Sequence, residues 1–155
     1  MSQIVAILNY EEGYKETPYR DTEGYPTVAG GIKIGPKGAS LANYTFRVPR
    51  QVGDVWMQTA VDSMATQMNT RPSIYAALKK CNPARADVLY SMCYQMGPDG
   101  LAAFKNTLSM IASENFSGAA NGMLDSLWAR QTPKRAQRQA DVMRTGTYDA
   151  YKGLI

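Results

Sequence analysis

The chain contains no histidine. That absence excludes Ser-His-Asp triads, zinc sites built on imidazole and histidine proton relays, so any proton transfer falls to carboxylates, tyrosine or lysine. Cysteine is scarce too, and Cys81 and Cys93 supply neither a disulfide framework nor a metal spacing. Long hydrophobic runs are missing. The apolar stretch in "MSQIVAILNYEEG" is far too short to span a bilayer and has no basic segment before it, so it reads as neither anchor nor signal peptide. The expectation is a chain completed in the cytoplasm, with reduced thiols and no stable membrane insertion.

What is present is ordinary in bulk and uneven in detail. A chain of 155 residues, 45% hydrophobic and 19% charged, has the composition of a globular protein: one domain, or two small lobes sharing a core. The net charge of +4 favours an anionic partner, weakly. The acids are not spread evenly. Residues 10–31, "YEEGYKETPYRDTEGYPTVAGG", hold Glu11, Glu12, Glu16, Asp21 and Glu23, five of the 13 acids in the chain.

The hydrophobic period changes along the chain. Ile4, Ile7 and Leu8 recur at helical spacing and Gly13 supplies a stop, which predicts a first helix ending at Glu11-Glu12. From Thr17 to Gly35, β-branched and aromatic residues between "DTEG" and "AGG" turns predict a small twisted hairpin sheet. Residues 36–50 read as irregular. After Arg50 the pattern is helical: Gly53, Met57, Ala60, Val61, Met64 and Met68 mark one face of a long helix. Asn82-Pro83 opens a helix running to Gly97 that is apolar nearly all round, hence the centre of a helical lobe. Shorter helices are expected around 101–104, 106–112 and 116–124, and Thr132-Pro133 should cap a last helix through Met143, stopped by Gly146. The expected fold class is α+β, a small N-terminal sheet lobe (about 13–50) and a larger helical lobe (1–12 and 51–155).

Two helix ends are electrostatically frustrated. Glu11 and Glu12 sit where the macrodipole disfavours negative charge. Lys134, Arg135 and Arg138 sit where it disfavours positive charge, at roughly 0.3–1 kcal/mol each. Either these ends compensate one another or a ligand, or they are simply solvated. A carboxylate shielded at a helix C-terminus favours its neutral form, which a general acid requires, whereas one in a polar turn, such as Asp21, ionises readily. Helical phase does not choose between Glu11 and Glu12.

At this point the order "EEG…YRDTEGY…T" resembles the start of the T-even phage lysozymes. "YQMGPDGLAAFKNTLSM" and "QTPKRAQR…RTGTYDAYK" are similar to the same family's helical lobe and C-terminus, in the same order. The resemblance covers the chain apart from residues 36–80. It implies a lysozyme-like fold and a phage endolysin that hydrolyses the bond between N-acetylmuramic acid and N-acetylglucosamine in peptidoglycan, with no metal or cofactor. Carried over residue by residue, Glu12 is the general acid, Asp21 the second carboxylate that holds or activates water, and Thr27 a group that orients this water. Arg135 looks like the arginine that approaches the acid. Lys33, Tyr94, Thr107 and Gly122 fall at sugar-contacting positions. The protein is expected to be a monomer that binds no nucleic acid and needs a separate membrane-perforating protein, a holin, to pass from the host cytoplasm to the wall.

The chain departs from the family pattern at several points. The turn reads "VAGG"; Ile32 stands where a histidine can follow it; Leu127 stands where an arginine can face the acid equivalent to Glu23; and Gly122 stands where an asparagine can reach the sugar. Two other readings compete. A lytic transglycosylase needs one acid and no water-activating carboxylate, so Asp21 and Thr27 argue against it. A non-catalytic binder of cell wall or nucleic acid would use the basic segment Arg130–Arg138, which lacks interleaved aromatics.

Overall fold

A computed structural model describes all 155 residues. The first helix, α1 (Ile4–Glu12), ends as the periodicity predicts. Gly13 takes a φ of +77° and its N–H donates to the Asn9 carbonyl at 3.0 Å, a left-handed cap that few residues other than glycine adopt readily. Three antiparallel strands follow in the order β1 (Lys15–Arg20), β2 (Pro26–Ala29) and β3 (Ile32–Lys33). A short 3₁₀ turn at Leu41–Asn43 interrupts the irregular stretch before α2 (Arg50–Asn69).

The remaining helices are α3 (Pro72–Leu78), α4 (Pro83–Ala102), α5 (Lys105–Ala112), α6 (Phe116–Leu124), α7 (Leu127–Gln131) and α8 (Pro133–Thr145). A terminal 3₁₀ turn spans Asp149–Tyr151. The architecture is α+β. No helix is long and apolar enough to cross a membrane. The chain divides into two compact units, one of residues Val5–Ala60 and one of Met1–Ile4 with Val61–Ile155, and α2 runs from the first into the second.

Within the unit Val5–Ala60 the core of the sheet is thin. Val28, Ala29 and Val48 are buried, with Tyr14, Ile32 and Ile34 packed against them. The Tyr14 hydroxyl donates to the Val48 carbonyl at 2.7 Å, and its ring lies so close to Gly53 that a Cβ there would stand 2.7 Å from ring carbons. Gly53 thus belongs to the apolar face of α2 because it makes room for an aromatic ring.

The helical unit has the deeper core. In α4, Val88, Leu89, Met92 and Cys93 are buried, and the Asn82 side chain accepts from the Arg85 N–H at 3.0 Å, as an N-cap should. Gly97 breaks α4 with φ +79° and ψ 168°, a conformation essentially confined to glycine, so the stop expected there is a break between two helical segments. Against α4 pack α8 and α3, while α6 packs on α8, α3 on α5 and α5 on α6.

Thr132 does not cap as its sequence position suggests. Its hydroxyl donates back to the Trp128 carbonyl at 2.9 Å, because α7 precedes it directly and offers an open carbonyl. The two shortest helices, α3 and α7, were not legible as periods: seven and five residues are too few to show one. For α7 a local signal existed, since Ser126 accepts from the Ala129 N–H at 3.1 Å.

Candidate active site

The acidic stretch is organised by one tight turn. The "AGG" between β2 and β3 brings Ala29 to φ +57° and Gly31 to φ +87°. Neither glycine could be replaced without a collision or close contact. A Cβ on Gly30 would lie 2.5 Å from the Met57 sulfur and 2.8 Å from the Asn9 Oδ1, and one on Gly31 would lie 3.3–3.4 Å from Cβ, Cγ and Oε2 of Glu12. The backbone of the turn therefore lies against the Glu12 side chain. Sequence periodicity left Glu11 and Glu12 equivalent; this packing separates them.

The end of α1 is braced from the same side. Asn9 is buried and its Nδ2 donates to the Asp54 Oδ1 at 2.7 Å, while Asp54 also pairs with Arg50 at 3.4 Å, one turn earlier on α2. These bonds fix the last turn of α1 just before the Glu12 position.

Asp21 occupies the turn between β1 and β2, half-buried. Its Oδ1 accepts from the backbone N–H groups of Glu23 at 2.9 Å and Tyr25 at 2.8 Å, and its own N–H donates to the Tyr25 carbonyl at 2.9 Å. The side chain builds its own turn, as aspartate in "DTEG" should. One oxygen is thereby occupied and the carboxylate is held in a fixed orientation.

Strand register aligns the next residues. Tyr19 on β1 opposes Thr27 on β2, and Thr27 opposes Lys33 on β3, so all three leave the same face of the sheet. Thr27 is buried and its hydroxyl donates to the Tyr25 carbonyl at 2.8 Å, which leaves its oxygen lone pairs as acceptors. Lys33 lies 4.1 Å over the Tyr25 ring and 3.6 Å from Glu23, with the lysine 53% and the glutamate 67% exposed. Glu23 thus finds its cation within the sheet; Leu127, where the family can present an arginine, is 60% exposed. Tyr19 was not singled out from the sequence. Burial, then the charges of Glu12 and Asp21, push its phenol above the usual value, so both carboxylates reach it electrostatically.

In the helical unit the other candidates fall into two groups. Thr107 on α5 is buried beside Gly122 on α6, where a Cβ would lie 2.7 Å from the threonine Oγ1. That close helix contact explains why no side chain projects from position 122. Arg135 is buried in the first turn of α8, and its Nη2 donates to the Ser91 Oγ at 2.9 Å and carbonyl at 3.3 Å. Gln139 donates to the same Oγ at 2.7 Å. Tyr94, one turn after Ser91 on α4, is half-buried. Cys81 and Cys93 are free thiols.

Comparison with known proteins decides the family. The phage lysozyme model matches residues 9–141, most of the chain. The chain belongs to the phage lysozyme family. It is a glycoside hydrolase of the lysozyme kind. It is 30% identical to "Probable T4-type lysozyme 2" of Dictyostelium discoideum and 27% identical to "Probable T4-type lysozyme 1" of the same organism; in both cases 98% of this chain aligns with 99% of the relative. It is also 30% identical to "Peptidoglycan hydrolase gp36" of Pseudomonas phage phiKMV, over 81% of this chain but 13% of that protein.

Proposed function

We propose that the enzyme is an endolysin that hydrolyses the β-1,4 bond between N-acetylmuramic acid and N-acetylglucosamine in peptidoglycan, with Glu12 as general acid and Asp21 as the carboxylate that activates water. The observation carrying this reading is the packing of the Gly30–Gly31 turn against the Glu12 side chain, which gives one of two neighbouring acids a fixed setting. The family membership and the phage peptidoglycan hydrolase among the relatives support the substrate class.

The proposed chemistry is a single displacement. Glu12 gives its proton to the glycosidic oxygen as the bond to the anomeric carbon breaks. A water attacks that carbon from the opposite face and passes a proton to Asp21. Two features suit Asp21 and Thr27 to this water. Asp21 has one oxygen tied to the backbone and the other left for the water. Thr27 has committed its proton to the Tyr25 carbonyl, so it can only accept, and two acceptors point the water's lone pair at carbon.

A direct attack by carboxylate needs the two carboxyl groups about 5–5.5 Å apart, whereas an inverting enzyme leaves roughly 6.5–9.5 Å for water. Acids on separate elements, with a threonine beside one of them, favour the second. Lys33, Tyr94, Thr107 and the Gly122 backbone are proposed as sugar contacts, and Arg135 keeps the supporting role that the resemblance gives it. The enzyme acts as a monomer, needs no cofactor, and reaches the wall through a membrane perforated by a separate holin.

Digestion of purified peptidoglycan tests the proposal. Fragment masses should show a hydrolytic N-acetylmuramic acid reducing end, and proton NMR before mutarotation should show it as the α anomer. A β first product would mean retention with Asp21 as nucleophile, and a 1,6-anhydro end would mean a transglycosylase.

A further inference from the structure

Tyr19 takes no part in the chemistry just described, yet it stands in the middle of it. Register places it opposite Thr27 on the same face of the sheet. The Lys15 ammonium lies 4.2 Å over its ring, covering one face and fixing its orientation. Its hydroxyl is partly buried but held by no protein hydrogen bond. The hydroxyl still reaches solvent, so its donor is available to whatever displaces water from this face of the sheet.

We propose that the Tyr19 hydroxyl is a substrate contact, hydrogen-bonding a neutral oxygen of the N-acetylhexosamine at the scissile bond. The surroundings restrict the ligand chemistry. An anionic group would be repelled by Glu12 and Asp21, whose charges both reach the phenol, whereas a sugar hydroxyl or acetamido oxygen would not. Lys15 takes one face of the ring, and the hydroxyl at the ring edge is the group that can meet a sugar oxygen. The phenol also stays protonated throughout the neutral range, since burial and the two acids oppose its ionisation. It is therefore a permanent donor. This inference rests on the Glu12 and Asp21 reading for its location, but its test is separate.

Tyr19→Phe removes the hydroxyl and keeps the ring, with its cation contact. In the otherwise unaltered enzyme, KM on soluble peptidoglycan fragments should rise about five- to tenfold while kcat stays within twofold. The melting midpoint should not change. In a Glu12→Gln background, calorimetry should show the same fragments binding about five- to tenfold more weakly once Tyr19→Phe is added. Unchanged KM and affinity would overturn the contact. So would a loss that tracks a lowered melting midpoint, which is the mark of a packing role, or a fall in kcat at constant KM, which is the mark of action through the carboxylates. Activity surviving in Glu12→Gln would overturn the acid assignment instead and leave the Tyr19 comparison in the unaltered enzyme still readable.

Discussion

The unit Val5–Ala60 and the helical unit are built on opposite terms. The first holds six acids and six bases, a thin sheet core and five residues at positive φ, among them Ala29, which lacks the freedom of glycine. The second carries seven acids against eleven bases, and its special backbone positions lie at helix ends, breaks and terminal turns. It also buries a carboxylate with three donors around it. Asp87 is fully buried and accepts from the Ser2 hydroxyl, the Gln3 N–H and the Tyr148 hydroxyl at 2.6–2.7 Å. The difference teaches where each unit spends its stability: one holds a strained, polar arrangement of acids, and the other holds itself together.

Substitutions should expose this contrast. The largest expected effect is on activity: Glu12→Gln should lower kcat by about 10²–10⁴-fold, because an amide has no proton for the leaving oxygen, while Glu11→Gln stays within a few-fold. Circular dichroism should show both variants folded. Equal losses in the two would remove the distinction drawn from the Gly31 packing.

The helical unit should answer in the opposite way. Asp87→Ala leaves three donors without their acceptor and should cost about 3 kcal/mol of unfolding free energy by denaturant titration. At a temperature where the variant remains folded, kcat should be unchanged. A loss of turnover in the folded variant would show that the two units do not divide the work as described.

Alkaline pH offers a milder probe of the same core. Burial raises the thiols of Cys81 and Cys93 to about 11 from an ordinary 9. Above pH 9 the unfolded chain loses these protons while the folded chain keeps them, so the unfolded state binds fewer protons and stability falls with rising pH. The loss should develop between about pH 9 and 11 and reach about 2 kcal/mol per thiol at most. Cys→Ala variants should show a correspondingly flatter profile in this window.

Two glycine replacements isolate the turn. Gly31→Ala adds a left-handed alanine, at about 1–2 kcal/mol, and presses on Glu12, so kcat should fall as well. Gly13→Ala has a similar φ but open space around the new methyl, so it should cost stability with little loss of kcat. The smallest effect belongs to Glu114, an exposed residue at φ +61° between α5 and α6. Glu114→Gly should be neutral in activity and stabilising by about 0.5–1 kcal/mol, as the relief of left-handed strain outweighs the added chain entropy.

By itself the sequence determined the local grammar. The end of α1 at Gly13, the break at Gly97, the Asn82 cap and the Asp21 turn are all encoded by residues within a few positions of where they act. Local backbone preferences and side-chain-to-backbone bonds need no distant partner. The motif order was also enough to identify the family. Tertiary structure alone decided which of two adjacent acids lies against the Gly31 backbone, that Tyr19 shares a face with Thr27, and that Ser91 receives Arg135. The physical reason is the same in each case. Those outcomes depend on strand register and on how helices and turns pack together, and both are set by residues far apart in the chain.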